Sequence, residues 1–222
     1  MRIIVLIKPG AELEESDACA VEHALRIARR RLDVQVSVLT TGPPSCVHVL
    51  REALALGADD AVHVADRHTS PYDALTVSRI LAATIRELGF DLVLCGAAST
   101  TPNLSALPAM VAVRLGVSAR CHASCAYLDA IDTIDAIDEP VLISVSGHST
   151  PRRYPPFPAI AEARHKLISI RTLPTGIDRD ASDSVITVRA VHPRSNTIIK
   201  ADEDPRAAAV QLVDFLAEHR FI

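Results

Sequence analysis

The first 115 residues alternate between short aliphatic runs and longer amphipathic stretches, with no tight-hairpin signal between them. Aliphatic runs at residues 2–7, 34–40, 61–65 and 90–95 are each followed by a stretch long enough to return the chain across a sheet. Parallel strands need such crossovers of a dozen or more residues, whereas antiparallel neighbours can be joined by two. The pattern therefore predicts an α/β fold of the Rossmann-like kind, a doubly wound and mostly parallel sheet, ending in an extended C-terminal arm and helix. The composition suits it: 49% of residues are hydrophobic but only 3% are aromatic, and there is no Trp. Ala, Val, Leu and Ile are what a sheet covered by helices on both faces demands.

Local signals set the expected boundaries. A helix is expected over residues 17–31, on the helical spacing of Val21, Leu25, Ala28 and the adjoining Leu32, with Ser16 as the expected N-cap. A helix over residues 45–56 should stop at Gly57, and Ser70-Pro71 should open another that stops at Gly89. A further helix is expected over residues 104–115. Beyond Gly116, residues 141–145 are the clearest strand, while Ile131, Ile134 and Ile137 recur every three residues and fit no strand face. Residues 151–158 form a proline-rich loop, and Asp204-Pro205 should start a last helix. The expected domains are a Rossmann-like core over residues 1–165 and an extended arm and helix over residues 166–222.

Several functions are excluded at this level. A net charge of −4 gives no reason to expect nucleic acid or an anionic membrane as partner. The apolar start is too short to span a bilayer, so no membrane insertion is expected, and five scattered cysteines fit a reducing cytoplasm. No Gly-x-Ser-x-Gly, Gly-x-Gly-x-x-Gly or P-loop is present. Cys121, His122 and Cys125 lack a fourth ligand and read as cysteines buried near a strand, not as a metal site. Cys19 and Cys46 read as core residues on helix faces. His63 and His68 flank Asp66 where α/β active sites often gather, but a solvated loop is the plainer reading. The run Arg29–Arg31 complements a helix dipole, and Arg152-Arg153-Tyr154 is either a docking element or an ordinary solvated loop.

Four stretches, in order, resemble the β subunit of electron-transfer flavoproteins. They are DACAVEHAL from Asp17, GPPSCVHVLREALALGADDAVHV from Gly42, DLVLCG from Asp91, and RRYPPFPAIAEARHK from Arg152. In the second, Arg51, Ala53, Leu54, Ala55, Gly57, Ala58, Asp59 and His63 stand in family register without a gap; the third is followed at family distance by Met110 and Leu115-Gly116.

The resemblance implies an electron carrier, not a stand-alone enzyme. This chain would pair with an α-like subunit, share an FAD with it, and pass electrons from a flavin-dependent dehydrogenase to an acceptor. The chemistry would belong to the flavin, so no catalytic residue and no metal ligand is assigned. The family also binds AMP through the loop after the DLVL strand. Here that loop would be Gly96, Ser99, Thr100, Thr101, Asn103 and Ser105, with Leu6 and Thr41 beside it. The family's Asp, Asn, Gln and Thr positions are Pro102, Ser105, Ala106 and Leu107, and its following Gly is Pro108. The family's Asn before the first helix falls near Glu14, whose carboxylate would repel a phosphate. AMP binding is therefore expected to be lost or rebuilt. Arg153, Tyr154, Phe157 and Pro158 are the expected partner-docking residues, with Phe157 replacing the family's docking Leu. Two other readings remain open: an adenine-nucleotide-binding α/β module, and a structural subunit without cofactors.

Overall fold

The computed structural model describes residues 1–65, 74–97, 106–123, 139–151, 153–173 and 205–218. The described elements run β1 (Arg2–Leu6), α1 (Glu15–Arg30), β2 (Gln35–Gly42), α2 (Val47–Leu56), β3 (Asp60–Ala65), α3 (Ala74–Leu88) and β4 (Leu92–Gly96). They continue with α4 (Leu107–Leu115), β5 (Ser118–Ala123), β6 (Val141–Val145), α5 (Phe157–Ala163), β7 (Ile168–Arg171) and α6 (Pro205–Glu218). Seven strands form one sheet in the order β5-β6-β4-β1-β2-β3-β7, and every described pairing is parallel. This is the expected doubly wound architecture.

Period-two alternation divides the core between the two faces of the sheet. Ile3 and Val5 of β1 point to the side of α1 and α2, where they meet Val21, Leu25, Leu50 and Leu54. Ile4 and Leu6 point the other way, toward Val77, Ile80 and Ile85 of α3 and Val111 of α4. Ile3, Ile4, Val5, Leu50, Ile80 and Ile85 are fully buried. Each such side chain stabilises the fold by about 1.5–3 kcal/mol relative to exposure.

Some boundaries differ from expectation. Residues 44–46 form a 3₁₀ turn ahead of α2, because Pro43-Pro44 set the entry and Pro44 has no N–H to give. Ser16 does not cap α1: Glu14 holds the N-cap position without a side-chain bond, and Ser16 lies inside the helix facing Lys8. Leu32 falls beyond the end of α1 and is fully exposed. Gly57 closes α2 as expected, with φ near +125° and its N–H turned back to Ala53 and Leu54. Ser70-Pro71 and Ile131–Ile137 lie outside the described residues. The chain separates into two compact units, Met1–Arg179 and Asp180–Ile222. Within the first, Ile168–Arg171 extends the sheet beside β3 as an edge strand, pairing Ala61 with Ile168 and Val64 with Arg171. In the second, α6 carries exposed Val210, Leu212 and Val213. Among the described residues no helix is long and apolar enough to cross a membrane.

Because an L side chain is strained at φ +125°, Gly57→Ala should destabilise the fold by about 1–3 kcal/mol. Urea unfolding should show this as a lower midpoint at unchanged slope.

Candidate functional site

The strand order reverses between β1 and β4, so the loops at their carboxyl ends diverge and leave a crevice, the usual ligand position in such sheets. Its enclosed space is small, about 40 Å³. Leu6, Val77, Leu81, Leu107 and Pro108 give it apolar walls, and Thr41, Gly96, Lys8 and Asp17 contribute to its lining.

The polar groups of the crevice are largely committed to each other. Asp17, 0% exposed, accepts from the Lys8 backbone N–H at 2.8 Å with Oδ2 and from Lys8 Nζ at 2.5 Å with Oδ1. Lys8 Nζ also donates to Ser16 Oγ at 3.1 Å and lies 3.3 Å from the Glu14 carboxylate. Thr41 donates to the Val64 carbonyl at 3.3 Å. Burial raises the Asp17 carboxyl above its ordinary pKa despite the nearby ammonium. Burial also pushes the Cys95 thiol far up, so it supplies no thiolate here.

Gly96 is where these groups converge. A Cβ there would overlap Asp17 Oδ1 and Ser16 Oγ and come within 2.7 Å of Lys8 Nζ. The resemblance places this glycine in the nucleotide loop; the structure fills the space beside it with the chain's own Lys8, Ser16 and Asp17. Glu14, expected only to repel a phosphate, is a partner of Lys8.

Of the expected nucleotide-loop residues, the structure brings Leu6, Thr41 and Gly96 together around the crevice. Ser99, Thr100, Thr101, Asn103 and Ser105 lie outside the described residues, as does Pro102. A phosphate fits the described residues poorly, because Lys8 is already matched by two carboxylates. Pro108 also removes a first-turn N–H from α4, and Ala106 at its N-cap offers no side-chain oxygen.

A second constellation surrounds the expected docking residues. Tyr154 and Phe157 are 77% and 79% exposed, and Pro158 is exposed in the first turn of α5. Their segment is held at both ends. Arg153 donates to Glu22 Oε1 at 2.9 Å, an oxygen that Arg29 also approaches at 3.4 Å. Upstream, Cys19 Sγ contacts the Gly147 carbonyl at 3.0 Å, and fully buried His23 meets Ser149 Oγ at 3.2 Å. Ser149 donates to the Ser146 carbonyl, so it accepts from His23 Nε2–H. Downstream, Arg51 donates to the Ala163 carbonyl at 2.7 Å and to that of Lys166, while Lys166 Nζ donates to the Ala58 carbonyl at 3.0 Å. Sequence reasoning missed Glu22 and His23. The signal available was two polar residues amid the apolar positions of α1, where a solvated face was assumed.

The remaining candidates resolve simply. His63 is buried on β3 and bonds the Gly42 carbonyl at 3.0 Å, so it is neither a solvated loop residue nor placed as a general base. Asp66 and His68 lie outside the described residues. Cys19, Cys46 and Cys95 are buried, but Cys121 is exposed, contrary to the burial expected for it; Cys125 lies outside the described residues. Among the described residues no three His, Cys, Asp or Glu side chains are grouped to hold a metal.

Two outcomes follow for the Lys8–Asp17 pair. Lys8→Met leaves a buried carboxylate uncompensated and should cost about 3–5 kcal/mol in urea unfolding. A carboxyl whose folded pKa is raised adds stability that is complete below its unfolded value and lost as pH rises through the folded one. The stability of wild type relative to Asp17→Asn should therefore fall as pH rises from the ordinary carboxylate value of 3.8 toward neutrality. A difference that grows over that range would show the carboxyl to be lowered instead.

Comparison with known proteins places these features. Residues 3–175 match the family described as the electron transfer flavoprotein domain. The electron transfer flavoprotein subunit beta of Mycobacterium tuberculosis H37Rv is 29% identical over 234 residues, covering 96% of this chain and 88% of that protein. Its counterpart in Megasphaera elsdenii is 34% identical over 108 residues, 46% of this chain and 40% of the relative. The acryloyl-CoA reductase electron transfer subunit gamma of Anaerotignum propionicum is 32% identical over 111 residues, 49% of this chain and 41% of the relative. With a parallel α/β sheet, an apolar switch-point crevice and a family match across most of its length, the chain belongs to the electron transfer flavoprotein beta-subunit family.

Proposed function

We propose that this chain pairs with an α-type subunit, closes over an FAD held mainly by that partner, and shuttles electrons from a flavin-dependent dehydrogenase to an acceptor. The observation that carries the reading is the family match over residues 3–175. When bound, FAD supplies the redox chemistry; the described residues of this chain orient and enclose. A pyrophosphate needs cations or clustered N–H donors, and the crevice offers a lysine already paired with carboxylates. The division of labour proposed here therefore leaves the flavin phosphates to the partner.

A partner needs a surface to cover, and one is present. Tyr154, Phe157, Leu167 and Ile170 are each more than two-thirds exposed within 17 residues of chain, a concentration of apolar side chains that marks interfaces. Tyr154 and Phe157, braced through Arg153 and Pro158, form the proposed docking element for a redox partner. The names of two relatives, an acryloyl-CoA reductase electron transfer subunit and a caffeyl-CoA reductase–Etf complex subunit, favour such assembly here. A cytoplasmic location is proposed with it.

The AMP site is proposed to be lost. Leu107 and Pro108 stand where the family places a hydroxyl and a glycine, and both line the crevice as apolar wall. Co-expression with an α-type subunit, denaturing release and chromatography of the bound nucleotides test the whole reading. Stoichiometric FAD without AMP is expected. FAD with AMP would restore the nucleotide site, a complex without nucleotide would make this a structural subunit, and a free chain retaining an adenine nucleotide would make it a binding module.

A further inference from the structure

On the face of the sheet opposite α3 and α4, a groove of about 230 Å³ runs between α1, α2 and the segment leading into α5. Its floor is apolar: Leu13, Ala18, Ala55 and Leu56 are all at most 9% exposed. Tyr154 and Ile160 wall it and remain 77% and 37% exposed. Arg51, Arg153 and Arg164 also line it, against the single carboxylate of Glu52.

These guanidiniums are not neutralised equally. Arg51 donates to the carbonyl oxygens of Ala163 and Lys166, which orient its fork but leave its charge intact. Arg153 shares the Glu22 carboxylate with Arg29. Arg164 makes no ion pair or side-chain hydrogen bond among the described residues. Even with Glu22 counted beside Glu52, the three arginines leave the groove electropositive. Glu52 is itself turned inward, accepting from the Leu13 backbone N–H at 3.3 Å.

We propose that this groove binds a protein segment in which an apolar side chain is followed closely by a carboxylate. The apolar side chain would sit on the floor formed by Ala55 and Leu56, and the carboxylate would meet Arg164 at the rim, accepting two parallel N–H bonds from its guanidinium fork. A protein is favoured over a free phosphate compound because the groove is continuous with exposed Tyr154, and Tyr and Arg around an apolar floor are the composition of interface hot spots. The proposal rests on the reading of this chain as a subunit that docks other proteins, and adds a receptor groove beside the projecting Phe157.

The test uses the full-length chain, with its second subunit where the two copurify. Fluorescence anisotropy would follow a labelled peptide containing Leu-Glu-Glu-Leu, a Leu-Lys-Lys-Leu counterpart, and competition by inorganic phosphate at matched ionic strength. The acidic peptide should bind, the basic one should not, and phosphate should not displace it. Arg164→Glu should weaken binding roughly tenfold. Arg79→Glu, an exposed change on α3 across the sheet, should leave it unchanged. Ile160→Asp supplies an independent check on the wall, with circular dichroism to confirm folding, and should also weaken binding. Equal binding of both peptides, indifference to Arg164→Glu, displacement by phosphate, or no binding up to about 1 mM would each overturn the proposal. Because the measurement needs no electron transfer, its failure leaves the carrier function standing. Loss of FAD from the heterodimer would instead strike that function alone.

Discussion

A single carboxylate ties together the parts of the molecule on which the crevice depends. Asp17 sits in the first turn of α1, yet it bonds the main chain and the side chain of Lys8, just past β1. Removing a carboxylate from water costs several kcal/mol, so it stays ionised only if its partner is held in place. Lys8 is held by Ser16 and Glu14 as well as by Asp17, so the start of α1 and the end of β1 form one rigid junction. That junction lies against Gly96, the last residue of β4, and leaves no volume for a side chain there. The central strand, its parallel neighbour and the first helix are thus locked at the edge of the crevice by electrostatics, while aliphatic packing holds them elsewhere.

The fold was readable because it rests on periodicity. Runs of aliphatic residues separated by amphipathic stretches set strand direction, and Gly57 marked a helix end by chemistry that few other residues tolerate. What escaped was what depends on contacts across the chain. Ser16 looks like a cap from its neighbours alone, but Lys8, eight residues away, recruits it into the helix interior. Glu22 and His23 look like solvent-facing positions until Arg153 and Ser149, more than 120 residues later, are laid over them. Leu32 looks like the next apolar position of α1 until the helix ends at Arg30. Cys121 reads as buried beside a strand, but β5 lies at the sheet margin and leaves it exposed.

The crevice shows the same split between local and assembled information. Leu107 and Pro108 announce in sequence that phosphate-binding groups are missing, and the structure adds that both form apolar wall. Nothing local predicts that Lys8 is already matched by Asp17 and Glu14. The segment around Tyr154 and Phe157 shows the split as well. It is anchored upstream through α1 and downstream through Arg51 and Lys166, so the exposed aromatic pair projects from a braced loop. Bracing reduces the entropy lost when a partner fixes such a loop.

The placement of β7 has a consequence for how the sheet meets other extended segments. β7 closes one side of the sheet, pairs with β3 alone among the described strands, and carries Ile170 exposed beside Leu167. An edge strand of this kind offers a row of unsatisfied backbone groups to any extended segment it meets. Among the described strands none pairs with the outer side of β7, so an extended segment laid there in register would lengthen the sheet.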